Sequence, residues 1–212
     1  MNYINSIVGI NHFLVVFTVL IPLLLILSNL RVPILNQIIK YSIIINLTIF
    51  YPYLFYSGYF NYKVHFPLHL CYLTEVFILI SIFTKVGKIE SWILLNSMFG
   101  GLVGFVNSNL TNESIMIEFF HFYISHFNLL LFVIIKYKLN RYITIKDLLH
   151  SIRLNLYLLF IISIFNVLFN TNYWFTLFKP DGVNLSNLFP EWPYYIFILI
   201  LFGLISYSFT FI

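Results

Sequence analysis

Seven stretches of the chain are apolar for about the length of a bilayer core, and short polar breaks separate them. They run over residues 8–28, 36–56, 66–84, 91–108, 117–137, 149–169 and 192–211, each near the ~20 residues a transmembrane helix needs. The breaks have the chemistry of helix ends. Asn29 to Pro33 closes the first stretch, because proline cannot continue a helix. Ser57-Gly58 ends the second and Pro67 opens the third. Lys85 to Glu90, the polar turn Asn107 to Asn112, the basic loop Lys138 to Asp147 and the long connection Asn170 to Trp192 supply the others. The pattern predicts one all-α integral-membrane domain over residues 1–212, a polytopic bundle of about seven transmembrane helices with no soluble domain appended.

Composition excludes the main competing class. The chain is 61% hydrophobic and 8% charged, with a mean hydropathy of +0.94, whereas soluble domains are about a quarter charged. There is too little polar side chain to cover a water-facing surface. The net charge of +4 is spread over connecting loops, so no nucleic-acid partner is expected. The amino terminus has neither a basic region nor a small-residue cleavage site, and no removable signal peptide is expected. Alanine is absent, which reads as the codon bias of an AT-rich bacterial genome. The glycosylation-type triplets at Asn109, Asn112 and Asn184 then read as accidents of composition. Glycine and serine must do the close helix packing that alanine usually shares.

Charge predicts orientation. Arg31, Lys40, Lys85, Lys88, Lys136, Lys138, Arg141, Lys146 and Arg153 flank one set of loops, and only Lys63 and Lys179 lie on the other. Nine against two places the basic side in the cytoplasm, with the amino terminus outside and the carboxyl terminus inside. Cys71 and His126 then both sit roughly 8–14 Å below the outer boundary at 1.5 Å per residue. His12 and Asn166 fall in the same layer.

Several residues in that layer could carry chemistry. Cys71, the one cysteine of the chain, excludes an internal disulfide and leaves a nucleophilic thiol or a small buried hydrophobe. His126, beside Ser125 and Asn128, is a candidate general base, because ionisable groups inside a span are functional hypotheses by default; the bland reading is a hydrogen bond between helices. On a continuous helix His69 points about 160° away from Cys71, unless Pro67 distorts the first turn. His65 and His69 stand at i, i+4, but no carboxylate completes a metal site, and none is expected. Glu75 shares the face of Cys71 and could orient His126 or be a structural carboxyl. His121 and Glu118 read as interfacial. The segments Asn172 to Lys179 and Trp192 to Tyr195 read as an aromatic belt, or as a re-entrant lid whose Lys179 meets a lipid phosphate. Gly100, Gly101 and Gly104 read as a packing face.

Phe66-Pro67-Leu68-His69-Leu70-Cys71 resembles the P-L-H-L-C signature of the YwaF-like bacterial membrane proteins. Phe120 to His126, ending Ile124-Ser125-His126, resembles that family's F-x-x-F-I-S-H segment. Asn166, Asn172-Tyr173, Lys179-Pro180 and Trp192-Pro193-Tyr194 resemble its closing pattern, and Asn11-His12 its histidine near the amino terminus. The family is similar to eukaryotic transmembrane protein 164, a phospholipid acyltransferase using a Cys and a His. The resemblance implies Cys71 as acyl-accepting nucleophile and His126 as its base. His69, Glu75, Asn166 and Ser125 would support them, and Lys179, Trp192 and Tyr173 would meet the headgroup. Membrane phospholipid is the implied substrate, with no cofactor. Two departures stand out: residues 46–53 lack the carboxylate some relatives carry, and Glu191 replaces a glycine before Trp192. The expected function is a lipid acyltransferase or transacylase in the outer half of the bilayer. A small-solute carrier and a non-catalytic structural subunit are the competing readings, and both should tolerate Cys71→Ser.

Overall fold

The computed structural model describes residues 12–84, 87, 89–108, 110–111, 113–180 and 189–211. Asn11, Lys85, Lys88, Asn109, Asn112 and Asn184, on which parts of the reading above rest, lie outside the described residues. The described chain is all helical, and seven apolar helices stand where seven spans are predicted. We label them α1 (His12–Ser28), α2 (Val32–Ser57), α3 (Leu70–Phe83), α4 (Ile89–Val106), α5 (Met116–Lys138), α6 (Ile145–Phe169) and α7 (Tyr194–Phe211). Four of them, α2, α4, α5 and α6, are long and apolar enough to cross a membrane; the other three carry the shorter apolar stretches His12–Ser28, Leu70–Phe83 and Tyr194–Ser208.

Local chemistry sets the ends. α1 widens into a π-helical turn over Val16–Leu20 just before Pro22, since proline lacks an N–H and its ring crowds the preceding carbonyls. α2 carries Pro33 in its first turn and stops at Gly58, whose φ of 73° is one that glycine adopts without steric cost. α6 starts on a capping box: the Thr144 hydroxyl accepts from the Asp147 amide, and the Asp147 carboxylate accepts from the Thr144 amide at 3.0 Å.

α4 and α5 form the centre. Trp92, Ile93 and Leu95 of α4 and Leu129, Leu131 and Ile135 of α5 are buried, with α2 and α3 packed on one side and α6 and α7 on the other. α6 turns Leu156, Tyr157, Phe160, Ile164 and Val167 outward, an apolar face suited to lipid. Among the described residues the ion pairs lie toward the ends of the bundle. Glu90 takes Lys136 and Arg141 at one end, and His65 meets Glu118 at the other.

Candidate functional site

The segment between α2 and α3 does not continue as one helix. A single helical turn covers Tyr62–His65, Phe66 is extended, and α3 begins only at Leu70. His69 is its N-cap, extended at φ −61° and ψ 141°, with its carbonyl accepting the Leu73 amide at 2.9 Å. Pro67 excludes a helical conformation for the residue before it. The distortion needed for His69 and Cys71 to face one space is therefore present, and both line the same cavity. The i, i+4 relation of His65 and His69 is corrected for the same reason. His65 accepts the Asn61 amide on Nδ1 and donates from Nε2 to Glu118 at 2.9 Å, whereas His69 Nδ1 faces the Trp174 amide at 3.4 Å. Among the described residues no group of three metal-ligating side chains occurs.

The loop after α6 clamps this segment. Trp174 donates from its indole to the Leu68 carbonyl at 2.7 Å, and the Phe66 amide donates to the Tyr173 hydroxyl at 3.1 Å. Burial pushes the Tyr173 hydroxyl up to about 12, so it stays a neutral donor toward the Tyr62 carbonyl. Trp174 and Phe175 both adopt positive φ, a conformation L-residues avoid. Asn166 holds them there. Its buried amide accepts from the Tyr173 N–H (2.9 Å) and the Thr171 hydroxyl (2.7 Å), and donates to the Tyr173 carbonyl and the Thr176 hydroxyl (both 2.7 Å). Asn166 thus organises this loop and makes no hydrogen bond to His126. Lys179 is engaged too, by Glu191 and the Phe189 carbonyl at 2.7 Å each, and Trp192 donates to the Thr176 carbonyl at 3.1 Å.

Glycines of α4 seat the two candidate reactive residues. A Cβ on Gly100 would stand 3.0 Å from Cys71 Sγ, and one on Gly104 would collide with the His126 ring. Cys71 and His126 therefore lie against successive turns of one helix face, about 6 Å apart along its axis. They are not hydrogen-bonded: His126 Nδ1 faces the Phe122 carbonyl at 2.7 Å, and the ring packs on Phe122 and Tyr72. Nδ1 is then the protonated nitrogen, which leaves Nε2 as a basic lone pair. His12 stands in the same layer, on the Phe105 carbonyl and the Tyr123 hydroxyl, each at 3.2 Å.

Beside this pair lies a polar core that the sequence reading did not assemble, though it names Glu75, His121, Ser125 and Asn128 singly. Asn46 donates to Ser125 at 3.0 Å and to Glu75 at 3.4 Å, and its carbonyl oxygen faces His121 Nδ1 at 3.1 Å. Asn128 donates to Glu75 Oε1 at 2.8 Å. All five residues are buried, and Glu75 is wholly inaccessible. His121, expected at the interface, is 2% exposed and stacks on Phe50 with ring centroids 3.7 Å apart. Asn46, in the stretch without a carboxylate, takes a central place. The available signal was an amide or imidazole alone in an apolar run, which is costly unless partnered. Glu75 bonds to these amides and not to the His126 ring.

Two cavities meet at the site. One, of about 260 Å³, is almost wholly apolar and lies among α3, α4, α6 and α7, with Cys71 on its wall. The other, of about 480 Å³, is more polar and opens among Lys63, His65, Glu113, Glu118 and Lys179. His69 and Phe175 line both.

A family model, described as the TMEM164 family, matches residues 6–211 of the chain. No curated protein and no solved structure matches it. With nearly the whole length matched, the chain belongs to the TMEM164 family and is a membrane protein.

Proposed function

We propose that this member of the TMEM164 family is a multi-pass cell-membrane protein and a lipid acyltransferase or transacylase, with Cys71 as nucleophile and His126 as general base. One observation carries the reading: the thiol stands on the wall of a long apolar cavity, at the first turn of α3. The seven apolar helices and the nine-to-two charge asymmetry favour an amino terminus outside, which puts the site in the outer half of the bilayer.

In the first step the thiolate attacks the ester carbonyl of a phospholipid. A carbon–sulfur bond forms, the carbon–oxygen bond breaks, and a lyso-lipid alkoxide leaves. His126 takes the thiol proton, directly or through one water across the gap, and returns it to the alkoxide. In the second step an acceptor hydroxyl gives its proton to His126 and attacks the thioester, restoring the thiol. The amides of Leu70, Cys71 and Tyr72 belong to the first turn of α3, which lacks intrahelical acceptors and has no side-chain cap. They are the donors for the tetrahedral oxyanion. Lys179, paired with Glu191, lines the second cavity, where a headgroup would sit, and Tyr173 and Trp192 hold the loop that borders it through Phe66, Tyr62 and Thr176.

The test uses purified protein in vesicles containing a phospholipid with labelled acyl chains and an unlabelled lyso-phospholipid. The reading expects a hydroxylamine-labile label on wild-type protein, absent from Cys71→Ser, and a labelled product lost in both Cys71→Ser and His126→Ala. General-base removal should slow transfer by about 10²–10⁴-fold. Transfer persisting in Cys71→Ser would sink the nucleophile assignment, and the absence of both label and product in wild type would favour a carrier.

A further inference from the structure

We propose that the apolar cavity is an acyl-chain ruler whose floor is a closed polar cluster of Asn96, Asn155 and Tyr207. This rests on the reading that Cys71 carries the acyl group, and it adds a prediction of which chains are taken.

The cavity wall is aliphatic along α6 and α7 and contains Cys71 beside Gly100. Ile196 and Tyr207, both on that wall, are about 16 Å apart along α7, so the space is elongated. It changes character at one end. Tyr207 donates to Asn96 Oδ1 at 2.6 Å, Asn155 Nδ2 donates to the same oxygen at 3.1 Å, and Trp92 donates to Asn155 Oδ1. Asn155 also bonds the Tyr207 hydroxyl, and Asn96 Nδ2 is taken by the Trp92 carbonyl at 3.0 Å. Trp92, Asn96 and Tyr207 are each 3% exposed or less.

This closure decides what the floor can do. The groups bond one another, so a polar ligand tail would gain nothing there and would break existing bonds. A methyl-terminated chain leaves the cluster intact. A chain that pushed past it would have to separate buried amides, at a cost hydrocarbon contact does not recover. Up to the floor each methylene leaves water or lipid for a packed wall, which raises affinity from water about fourfold per carbon. Past the floor the gain stops.

Gly203 supplies the test, since it lines the cavity and a Cβ there meets nothing within 4 Å. Filling this position should shorten the ruler without disturbing the helices. The experiment measures binding of a homologous series of saturated fatty acids, short to long, to full-length protein in lipid nanodiscs. The proteins compared are Cys71→Ser, which cannot form a thioester, and Cys71→Ser carrying Gly203→Leu or Gly203→Phe. The ruler expects affinity to rise with length to a limit, and the limit to move to shorter chains in the order Leu, Phe. Identical length profiles in all three proteins overturn it, as does affinity that rises without limit. Because no chemistry is read, failure here leaves the acyl-transfer assay standing, and failure of that assay leaves this one interpretable.

Discussion

Gly104 and His126 compete for one volume: a methyl group on the glycine would overlap the imidazole. The ring is held from three sides, by the backbone of α4, by the Phe122 carbonyl and by the Tyr72 and Phe122 rings. Gly104→Ala must push the imidazole off its seat. Overpacking of this kind typically costs 1–3 kcal/mol, so the melting temperature should fall modestly. Acyl transfer should fall as far as in His126→Ala. A loss of transfer no larger than the loss of folded protein would argue against a positioned base.

Cys71 alkylation reads the same pair without lipid. Iodoacetamide should modify the wild-type thiol readily in detergent, and His126→Ala should slow it. Gly100→Ala should also change the rate, since its methyl would lie 3.0 Å from Sγ. Equal rates in wild type and His126→Ala would leave the two residues chemically independent.

The seven apolar helices were legible because hydropathy and proline or glycine breaks act locally, and the described chain obeys them between residues 12 and 211. Cys71 and His126 stood out in the sequence because a thiol and an imidazole are costly in apolar runs. Their surroundings were not. Whether His69 faces Cys71 depends on the backbone turning at Phe66, and a helical wheel drawn through that break misdirects the side chain. Asn46 joins Glu75 and Ser125 across α2, α3 and α5, while Asn96, Asn155 and Tyr207 meet from α4, α6 and α7, and the chain's abundance of asparagine hid the meaning of both clusters. His121 looked interfacial by depth, but its neighbours on α2 and α3 bury it.

Glu75 should tolerate amidation better than removal. Its acceptor Oε1 serves Asn46 and Asn128, and a glutamine keeps that oxygen. Glu75→Gln should retain folding and most activity. Glu75→Ala leaves two buried amides short of a partner, at about 1–3 kcal/mol each, and should lower the melting temperature clearly. Equal loss in the two variants would mean that the negative charge itself is required.

Asn166→Ala removes four hydrogen bonds at once. The strained turn at Trp174 and Phe175 then loses its anchor, and limited proteolysis should cut between residues 170 and 180 faster than in wild type. Far-ultraviolet circular dichroism should change little, since the helices do not depend on that amide. Unchanged proteolysis would show that the Trp174 and Tyr173 bonds suffice.

Orientation has a direct readout. In a Cys71→Ser background, Tyr59→Cys, at an exposed position between α2 and α3, should react with an impermeant maleimide on intact cells. Tyr142→Cys, exposed between α5 and α6, should react only after lysis. The reverse pattern would place the amino terminus in the cytoplasm and the reactive layer in the inner leaflet.

His69 and Phe175 are a partition with a cavity on each side. A shared wall cannot move without enlarging one space at the expense of the other, so the two volumes are reciprocal. Phe175 is fixed by the turn that Asn166 ties, and His69 by the amide of Trp174 in the same turn. One buried amide on α6 therefore sets how the interior is divided between a water-facing room and a hydrocarbon one.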